Sequence, residues 1–476
     1  MKNTPVLVLA AALTVTLGPV SAASAPSGEA EFRSLYKELV ETNTSLSTGS
    51  CTLAAQRMVA HLKAAGFADS DLHLFAPPGH PRDGGLVAVY PGRDPHLKAL
   101  LLLAHLDVVE AKREDWTRDP FTLVEENGNF YARGSVDDKA EGAIWVDTLL
   151  RYRAEHYRPR RTIKLALTCG EEGALGAVNG ADWLVRNQRD LIDAAFAINE
   201  GARGELDADG HRVALEVQAG EKTAQNFRLE VTNSGGHSSL PVKNNAIYHL
   251  AGALLKIEAY TFPAQFTDGN RGYFAGMAKI QAAKGNTEIA QAMDGLVHDP
   301  SDAPAIALVS AQDPSWNATL RTTCVATMLD GGHAPNALPQ RAGAIVNCRI
   351  FPGVSIESVR AKLEELVADP EVKVTALPAR GPSSSPPPLT PQILGPVQKL
   401  AAQFWPGVPV LPTLQPGATD GQFLNAAGIP TYGIEPLFLG PDFGHIHGLN
   451  EYVPVQSLLE CRDFLYRLVR IYADQK

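Results

Sequence analysis

Short apolar runs alternate with amphipathic stretches along the first half of the chain. An apolar run of five to eight residues is typical of a buried strand, whereas a period of about 3.6 residues is typical of a helix. The alternation therefore predicts one α/β layer with helices on both faces of a sheet. The predicted elements are helices Glu29–Glu41 and Leu53–Ala65, strands Leu86–Tyr90 and Ala99–Leu103, helix Ala140–His156, strand Thr162–Thr168, helix Val178–Asn187 and strand Ala194–Ile198.

From about Val213 the pattern changes to strand, helix, strand, strand, helix and strand, which is the order of a small α+β sandwich. The stretch Tyr260–Ser310 is long and polar, and it predicts either extra helices or an excursion that contacts a partner. The proline-rich and serine-rich stretch Pro378–Pro388 indicates a return linker. The elements predicted in this half are Phe227–Thr232, Asn245–Tyr260, Leu320–Met328, Ala344–Ile350, Ile356–Ala368, Val372–Ala376, Gln392–Phe404, Thr431–Ile434 and Val455–Asp474.

These patterns predict a larger α/β domain, with a central mixed sheet flanked by helices, into which a smaller α+β domain is inserted. The larger domain would comprise residues 29–218 and 379–476, and the inserted domain residues 219–378. Residues 1–22 are predicted to be a signal peptide, because Lys2 precedes the apolar run Val6–Leu17 and the small-residue site Val20-Ser21-Ala22. The mature protein is therefore expected to be periplasmic or secreted.

Composition narrows the classes of partner. The 476-residue chain carries a net charge of −10, which argues against nucleic acid or an anionic membrane as a partner. The five cysteines are few and odd in number, which argues against a disulfide scaffold, and their spacing is not that of a zinc finger. Cys324 and Cys348 lie on two strands that could pair, and an oxidising compartment would permit a bridge between them. We favour buried free thiols over this bridge.

Histidine and acidic residues recur just after the predicted strands of the larger domain. Open α/β sheets form their sites at such strand ends. Imidazole and carboxylate without thiolate suit a pair of divalent cations such as zinc, which would position and deprotonate a water for attack on a carbonyl. His105, Glu171 and Glu200 fall just past strand ends, and the other residues of these clusters are Asp107, Asp137, Asp138, Glu172 and His447.

Each of these clusters taken singly also has a structural explanation. His105 could be a hydrogen-bonded core histidine, and Asp137 could cap the helix that begins near Ala140. The adjacent Glu171 and Glu172 could be an exposed acid pair. Because all the clusters occur in one order at strand ends, the two-cation site is the better interpretation.

The ordered set resembles the dizinc amidohydrolases that include glutamate carboxypeptidase, aminoacylase and succinyl-diaminopimelate desuccinylase. The motifs that carry the resemblance are His105-x-Asp107, Gly134-x-x-Asp137-x-Lys139, Glu171-Glu172, Glu200 and His447. Within this family, the sequence is most similar to the branch that contains vacuolar Gly-X carboxypeptidase and secreted N-acyl-amino-acid hydrolases. The residues that carry this closer similarity are His105, Trp116, Pro120-Phe121, Tyr131 and Asp137-Asp138-Lys139.

The resemblance implies a zinc-peptidase-like catalytic domain with two Zn²⁺ ions per chain, for which Co²⁺ or Mn²⁺ could substitute. The implied ligands are His105 and Glu200 for one ion, Glu172 and His447 for the other, and Asp137 as a bridge to both. Asp107 would orient His105, Glu171 would be the general base, and the peptide bond between Asp137 and Asp138 would be cis.

The resemblance also makes the inserted domain a ferredoxin-like lid and dimerisation domain. His237, in the segment Gly235-Gly236-His237-Ser238-Ser239, matches a histidine that stabilises the tetrahedral intermediate, in several members across a homodimer. Asn336 and Arg349 match residues that hold the carbonyl and carboxylate of the substrate. An arginine fork is the expected group for a carboxylate, although Arg349 could be a surface arginine and His237 a loop-capping histidine.

The expected activity is hydrolysis of an amide bond in a small peptide or N-acyl amino acid whose product has a free carboxylate. A dipeptidase or aminopeptidase of the same family is the alternative within enzymes. Those relatives more often have Asp at the position of Glu200, which favours a carboxypeptidase or deacylase. The alternative from another functional class is a catalytically silent binding protein. The sequence argues against it, because every position of a metal ligand or of the general base in the family pattern is retained.

Overall fold

A computed structural model describes residues 28–173 and 177–475 of the chain. The predicted signal peptide, residues 1–22, lies outside the described residues. The helices are α1 (Glu29–Glu41), α2 (Cys51–Ala64), α3 (Lys139–Ala154), α4 (Gly180–Asn187), α5 (Arg189–Ile192), α6 (Ala246–Glu258), α7 (Asp268–Ala283), α8 (Thr287–His298), α9 (Ala303–Gln312), α10 (Pro314–Leu320), α11 (Ile356–Val367), α12 (Pro391–Phe404), α13 (Gly421–Ala426) and α14 (Val455–Asp474).

The strands, in the same described ranges, include every strand that the sequence predicts. They are β1 (Leu72–Phe75), β2 (Gly85–Tyr90), β3 (Leu100–His105), β4 (Val124–Glu126), β5 (Asn129–Tyr131), β6 (Ile163–Thr168), β7 (Phe196–Asn199), β8 (Gly204–Leu206), β9 (Arg212–Glu221), β10 (Thr223–Thr232), β11 (Gly236–His237), β12 (Thr323–Gly331), β13 (Ala337–Leu338), β14 (Arg341–Ile350), β15 (Val372–Ala376), β16 (Val410–Gln415), β17 (Thr431–Gly433), β18 (Phe438–Leu439) and β19 (Tyr452–Pro454).

A mixed sheet forms the centre of the larger domain. Its strand order is β1-β2-β6-β3-β7-β17-β9-β8-β18, and β16 pairs with β9. The central strands β6, β3, β7 and β17 run parallel, so their carboxyl ends meet at one edge. Leu100 and Leu102 of β3 pack in the core with α1, α2, α3, α12 and α14, whereas Leu101 and Leu103 pack with α4, α5 and α13. Because both faces are covered, the strand is continuously apolar.

A second, four-stranded antiparallel sheet has the order β12-β14-β10-β15. Helices α6 and α11 pack against it through a separate apolar core that includes Leu250 and Leu363. With its chain order of strand, helix, strand, strand, helix and strand, this unit is the ferredoxin-like α+β sandwich that the sequence predicts.

Helices α7 to α10 occupy most of the long stretch between α6 and β12. They are the extra helices that were one of the two predicted alternatives for Tyr260–Ser310. They pack on the larger sheet, because Phe274 and Met293 share an apolar core with Ala214 of β9 and Leu411 of β16. The division of the chain at residues 218 and 378 remains a prediction. None of the described helices is long and apolar enough to cross a membrane.

Two disulfide bonds join distant parts of the described chain, Cys51–Cys169 and Cys324–Cys348. The expectation of free thiols at Cys324 and Cys348 was therefore wrong. These two cysteines lie directly opposite each other on the antiparallel strands β12 and β14, a register that composition cannot reveal. Cys461 is a buried free cysteine.

Candidate metal centre

The carboxyl edge of the parallel strands gathers the predicted ligands. His105 is the last residue of β3, and Glu200 directly follows β7. Glu171 and Glu172 lie in the loop that leaves β6, where Gly170 has a φ of 92° that favours glycine. Parallel strands of one sheet end at the same edge, so these side chains converge there.

Asp137 lies between two histidines. Its Oδ1 is 3.0 Å from Nε2 of His105, and its Oδ2 is 3.2 Å from Nε2 of His447. The outer ends of this row are also carboxylates: Glu200 Oε1 is 3.6 Å from His105 Nε2, and Glu172 Oε1 is 2.7 Å from His447 Nε2. The five predicted ligands thus form two histidine-carboxylate groups that share one aspartate.

Backbone contacts fix the ring of His105. Its Nδ1 is 2.9 Å from the carbonyl oxygen of Asp107, and the ring can satisfy that acceptor only by donating a proton. The lone pair of Nε2 then faces Asp137 and Glu200. The peptide bond between Asp137 and Asp138 is cis, as the resemblance implies, and Asp138 Oδ2 accepts the backbone N–H of His105 at 3.1 Å.

The carboxylate of Asp107 positions the loop that carries both glutamates. It accepts the backbone N–H of Glu171 at 3.3 Å and that of Glu172 at 3.0 Å. Its distance to Nδ1 of His105 is 3.7 Å, longer than a hydrogen bond. Asp107 therefore acts on His105 through its carbonyl oxygen and on the glutamate loop through its side chain.

The donor set fits divalent cations. A lone pair and several carboxylate oxygens that face one another in a buried site repel unless a cation or a proton lies between them. Burial and the adjacent Asp137 raise the pKa of Glu200 to about 8. Burial also raises the pKa of Glu172. Two sets of ligand atoms lie within 4.8 Å of one another, namely those of His105, Glu171 and Glu200 and those of His105, Asp137 and Glu172.

Glu171 differs from Glu172 in its contacts. Glu172 touches His447, whereas the side chain of Glu171 makes no hydrogen bond within the described residues and lies near His105 and Glu200. Burial raises the pKa of Glu171 well above its usual range. An unpaired carboxyl of this kind is suited to accepting a proton.

A buried ion pair that the sequence did not reveal joins the two loops of the centre. Glu451 accepts from Nη1 of Arg133 at 2.7 Å and from the backbone N–H groups of Gly134 at 3.0 Å and Val136 at 2.8 Å. Arg133 also donates to the carbonyl of Gly448 at 2.7 Å. The only sequence signal was the place of Glu451 four residues after His447.

A further ion pair, between the half-buried Arg203 and the buried Glu435, supports the Glu200 side of the centre. Nε of Arg203 is 2.8 Å from Glu435 Oε2, and Nη2 of Arg203 is 3.9 Å from Glu200 Oε2. Asp420, which directly precedes α13, accepts from the hydroxyl of Thr168 at 2.7 Å. Both contacts tie loops from the end of the chain to the strand ends.

His237 and Asn336 lie together on the smaller unit, because β11 and β13 pair at His237 and Ala337. Both side chains are exposed. The backbone N–H of Ser239 donates to Nδ1 of His237 at 3.2 Å, so the neutral ring carries its proton on Nε2. Within the described residues, no hydrogen bond or ion pair joins His237 or Asn336 to the metal centre.

Arg349 lies on β14, opposite Ala224 of β10. Within the described part of the chain it has no carboxylate partner. Burial and the neighbouring Arg380 lower the pKa of Arg349. Arg380 in turn donates to the carbonyl of Gly173, in the loop of the two glutamates. Two guanidinium groups without an acidic partner form a place for an anion.

Comparison with known proteins identifies the family. The sequence model of peptidase family M20/M25/M40 matches residues 101–471. The chain belongs to this family. The N-fatty-acyl-amino acid synthase/hydrolase PM20D1 of Homo sapiens is 29% identical over 389 residues, 80% of this chain and 75% of that protein. Aminoacylase-1A of Rattus norvegicus is 25% identical over 81% of this chain and 83% of that protein.

Solved structures of the M20/M25/M40 family share the fold. A metallo-carboxypeptidase of family M20 from Sulfolobus solfataricus superimposes with a TM-score of 0.69 at 19% identity, over 93% of this chain and 99% of that chain. The predicted family, fold class and enzyme class are thereby confirmed. The protein is a hydrolase of a metal-dependent family that cleaves amide bonds.

Proposed function

We propose that the protein uses two Zn²⁺ ions to hydrolyse the amide bond of small substrates that carry a free carboxylate, as an N-acyl-amino-acid deacylase or a carboxypeptidase. The observation that carries the proposal is the row of five ligands shared around Asp137, with Glu171 beside it. His105 and Glu200 would hold one ion, Glu172 and His447 the other, and Asp137 both. When bound, the ions supply Lewis acidity at the scissile carbonyl and lower the pKa of a water.

The residues of the chain divide the remaining work. Glu171 takes the proton of the attacking water and passes it to the departing nitrogen. Nε2 of His237 donates to the oxygen on which negative charge develops, while Asn336 contacts the substrate carbonyl. Arg349 binds the carboxylate, which orients the amide bond. Asp107 keeps Glu171 in place through the loop backbone.

Two kinds of relative support the acyl-amino-acid side of the proposal. The human relative is named as an N-fatty-acyl-amino acid synthase/hydrolase and the rat relative as an aminoacylase. The unpaired Arg349 is a second support, because a deacylase or carboxypeptidase substrate always carries a carboxylate. A dipeptidase or aminopeptidase instead needs a partner for a free α-amine.

A substrate panel tests the proposal. The zinc-loaded protein is assayed against N-acetyl amino acids, N-blocked dipeptides, free dipeptides and the C-terminal amides of the same compounds, with products identified by mass spectrometry. We expect cleavage of the N-blocked acids and at least tenfold slower cleavage of the amides. A strict requirement for a free α-amine would favour a dipeptidase, and no hydrolysis with less than one bound ion per chain would favour a silent binding protein.

We also propose that the protein forms a homodimer through the smaller unit. The edge strand β12 exposes Val325 (61%), Met328 (68%) and Leu329 (72%), and α6 beside it exposes Tyr248 and Leu255. An apolar edge of this kind pairs with another chain or aggregates. A dimer would also provide a partner active site for the exposed His237.

Light scattering after size-exclusion chromatography tests the dimer. Leu329→Asp should give a monomer, because a charge on the paired edge would be buried without a partner. Thr375→Asp is the matched control, since Thr375 is exposed on β15, the opposite edge of the same sheet. Equal masses for both variants would contradict the proposed interface.

Export from the cytoplasm completes the proposal. The predicted signal peptide suggests a periplasmic or secreted protein, and the disulfides Cys51–Cys169 and Cys324–Cys348 support an oxidising compartment. Expression of the full chain followed by N-terminal sequencing of the mature protein tests it. An uncleaved chain that is found in the cytoplasm and still carries residues 1–22 would overturn the proposal of export.

A further inference from the structure

The disulfide bond Cys51–Cys169 lies beside the glutamate loop, residues 170–173, of the metal centre. Cys169 is the first residue after β6, and Glu171 follows two residues later. Cys51 is the first residue of α2, a helix whose buried side chains, such as Met58, pack in the core of the larger domain. The bridge therefore joins the start of the glutamate loop covalently to a helix that is anchored in the core.

The bridge also lies close to the carboxylate of Asp107. The sulfur atoms of Cys51 and Cys169 and a carboxylate oxygen of Asp107 all lie within 4.8 Å of one another. The same carboxylate accepts the backbone N–H groups of Glu171 and Glu172 at 3.3 Å and 3.0 Å. Both cysteines and Asp107 are at most 1% exposed. A continuous set of buried contacts thus leads from the disulfide through Asp107 to the two glutamates.

The remaining contacts of the glutamate loop with its surroundings are not covalent. The carbonyl of Cys169 accepts the backbone N–H of Gly180 at 2.7 Å, and Arg380 donates to the carbonyl of Gly173. Hydrogen bonds of this kind can be exchanged for hydrogen bonds to water at a small net cost. Among the residues that the structure describes, the Cys51–Cys169 bridge is the one covalent link between this loop and another element.

Reduction of the bridge would change the surroundings of Asp107. A disulfide has no S–H group, whereas each of two thiols can donate a weak hydrogen bond. In the reduced protein these thiols compete with the backbone N–H groups of Glu171 and Glu172 for the carboxylate of Asp107. Cys169 is also no longer linked to α2. The glutamate loop then loses its covalent link and part of its hydrogen bonding, and a ligand whose supporting contacts are weakened binds its metal ion less tightly.

We propose that the Cys51–Cys169 bridge positions the glutamate loop and that its formation activates the hydrolase. The inference rests on the metal centre of the proposed function and adds its regulation by oxidation. In the reduced chain, Glu172 is held too loosely to bind its ion tightly, and Glu171 is displaced from the attacking water. A chain in a reducing compartment is therefore inactive, and the bridge completes the site after export.

The activating step is a thiol–disulfide exchange in which a small disulfide, such as oxidised glutathione, is the oxidant. The thiolate of one cysteine attacks the glutathione disulfide, releases one glutathione thiolate and leaves a mixed disulfide. The thiolate of the other cysteine then displaces the second glutathione, and the S–S bond between Cys51 and Cys169 forms. Two electrons and two protons leave the protein, and one glutathione disulfide becomes two glutathione thiols.

A pair of double variants tests the positioning role. Cys51→Ala/Cys169→Ala is compared with Cys324→Ala/Cys348→Ala, the matched control that removes the other disulfide. Zinc affinity is measured by competition with a chelator, and the exchange of the two glutamate amide protons by deuterium exchange of the metal-free protein. We expect the first variant to lose about 10–100-fold in zinc affinity and to exchange these protons about tenfold faster or more. The control should match the wild type in both measurements.

A refolding experiment tests the activation and does not require Cys51→Ala/Cys169→Ala to fold. The variant Cys324→Ala/Cys348→Ala is folded with a reductant, so that Cys51 and Cys169 are the pair that can form the bridge. Its remaining thiol, Cys461, is buried in α14. After the reductant is replaced by oxidised glutathione, zinc affinity and the rate on an N-acetyl amino acid should rise by about tenfold or more. The rise should follow the loss of two free thiols per chain.

The outcomes separate this inference from the proposed function. Wild-type zinc affinity and amide exchange in Cys51→Ala/Cys169→Ala would overturn the inference, and so would equal zinc affinity before and after oxidation of the refolded protein. Equal losses in both double variants would indicate a general structural role of the disulfides and contradict a specific one for this bridge. A protein that gains zinc affinity on oxidation but cleaves no N-acyl amino acid would overturn the proposed function and leave the positioning role of the bridge standing.

Discussion

The carboxylate of Glu451 and the guanidinium of Arg133 form a buried ion pair at 2.7 Å, although 318 residues separate them in the chain. Glu451 also accepts the backbone N–H of Asp137 at 3.2 Å, and Arg133 holds the carbonyl of Gly448, next to His447. This one ion pair therefore sets the position of Asp137, the predicted bridge, relative to His447, a predicted ligand.

Replacing Glu451 should weaken metal binding. In Glu451→Gln, the amide nitrogen would face backbone N–H groups and Arg133 would be buried without its counterion. Changes in groups that orient ligands typically cost 10–100-fold in metal affinity. Competition with a zinc chelator should show a loss in this range, with thermal melting run in parallel.

The control for Glu451 is an ion pair on the surface. Glu125 contacts Arg33 at 3.0 Å and is about half exposed, so Glu125→Gln should keep wild-type zinc affinity. Unchanged zinc affinity in Glu451→Gln would refute the positioning role of the buried pair.

The two adjacent glutamates should separate in their effects. Glu171→Ala removes the proposed base without removing a ligand, so turnover should fall by about 10³-fold or more while two ions remain bound. Glu172→Ala removes the contact with His447 and should lose bound metal. Metal analysis and initial rates on the same samples make the comparison, and near-normal turnover in Glu171→Ala would exclude the base assignment.

Arg349 should act on substrate binding through the carboxylate. Arg349→Ala is expected to raise KM for an N-acyl amino acid by about tenfold or more. The rate for the C-terminal amide of the same compound should change little, because only the carboxylate of the acid forms a charge-assisted hydrogen bond with Arg349. Arg341→Ala provides the comparison, because Arg341 lies on the same strand β14 and is largely exposed. Equal losses for acid and amide would speak against a carboxylate site.

Glu216 should make stability depend on pH. Its pKa is about 8 in the folded protein and about 4.3 in an unfolded chain, so between these values the folded state binds the extra proton. Stability therefore falls as pH rises through this window. Glu216→Gln should melt above wild type by a margin that grows from pH 5 to pH 8, reaching about 2 °C or more.

Exposed Glu371 serves as the reference for that measurement, with Glu371→Gln melted over the same pH range. A margin for Glu216→Gln that stayed constant or shrank as the pH rose would contradict a half-buried Glu216 that is protonated in the folded protein.

The sequence predicted the elements and the site best where an apolar run, which indicates a strand, is followed directly by a candidate ligand. Ala99–Leu103 is apolar throughout because both faces of β3 are covered, and His105 follows at its end. By contrast, β16 was not predicted. Pro412 lies within it and cannot donate to a ladder, which ordinarily argues against a strand. Pro412 is tolerated because, among the described strands, β16 pairs with β9 alone.

Long-range pairings were the part that sequence patterns could not supply. The Cys324–Cys348 bridge depends on strand register, and the Glu451–Arg133 pair depends on how two remote loops meet. The packing of α7 to α10 against β9 and β16 could not be predicted for a similar reason. The sequence of an amphipathic helix shows that one face is buried, but it does not show which element covers that face.

The place of β17 in the sheet has a consequence for biosynthesis. This strand, Thr431–Gly433, lies between β7 and β9 near the middle of the sheet, yet it is among the last segments to leave the ribosome. A nascent chain therefore carries an unfilled gap in its sheet until nearly all of it has been made, and contacts so distant in sequence form slowly. His447 lies beyond β17 in the chain, so a chain that is released before β17 has been made also lacks this predicted metal ligand.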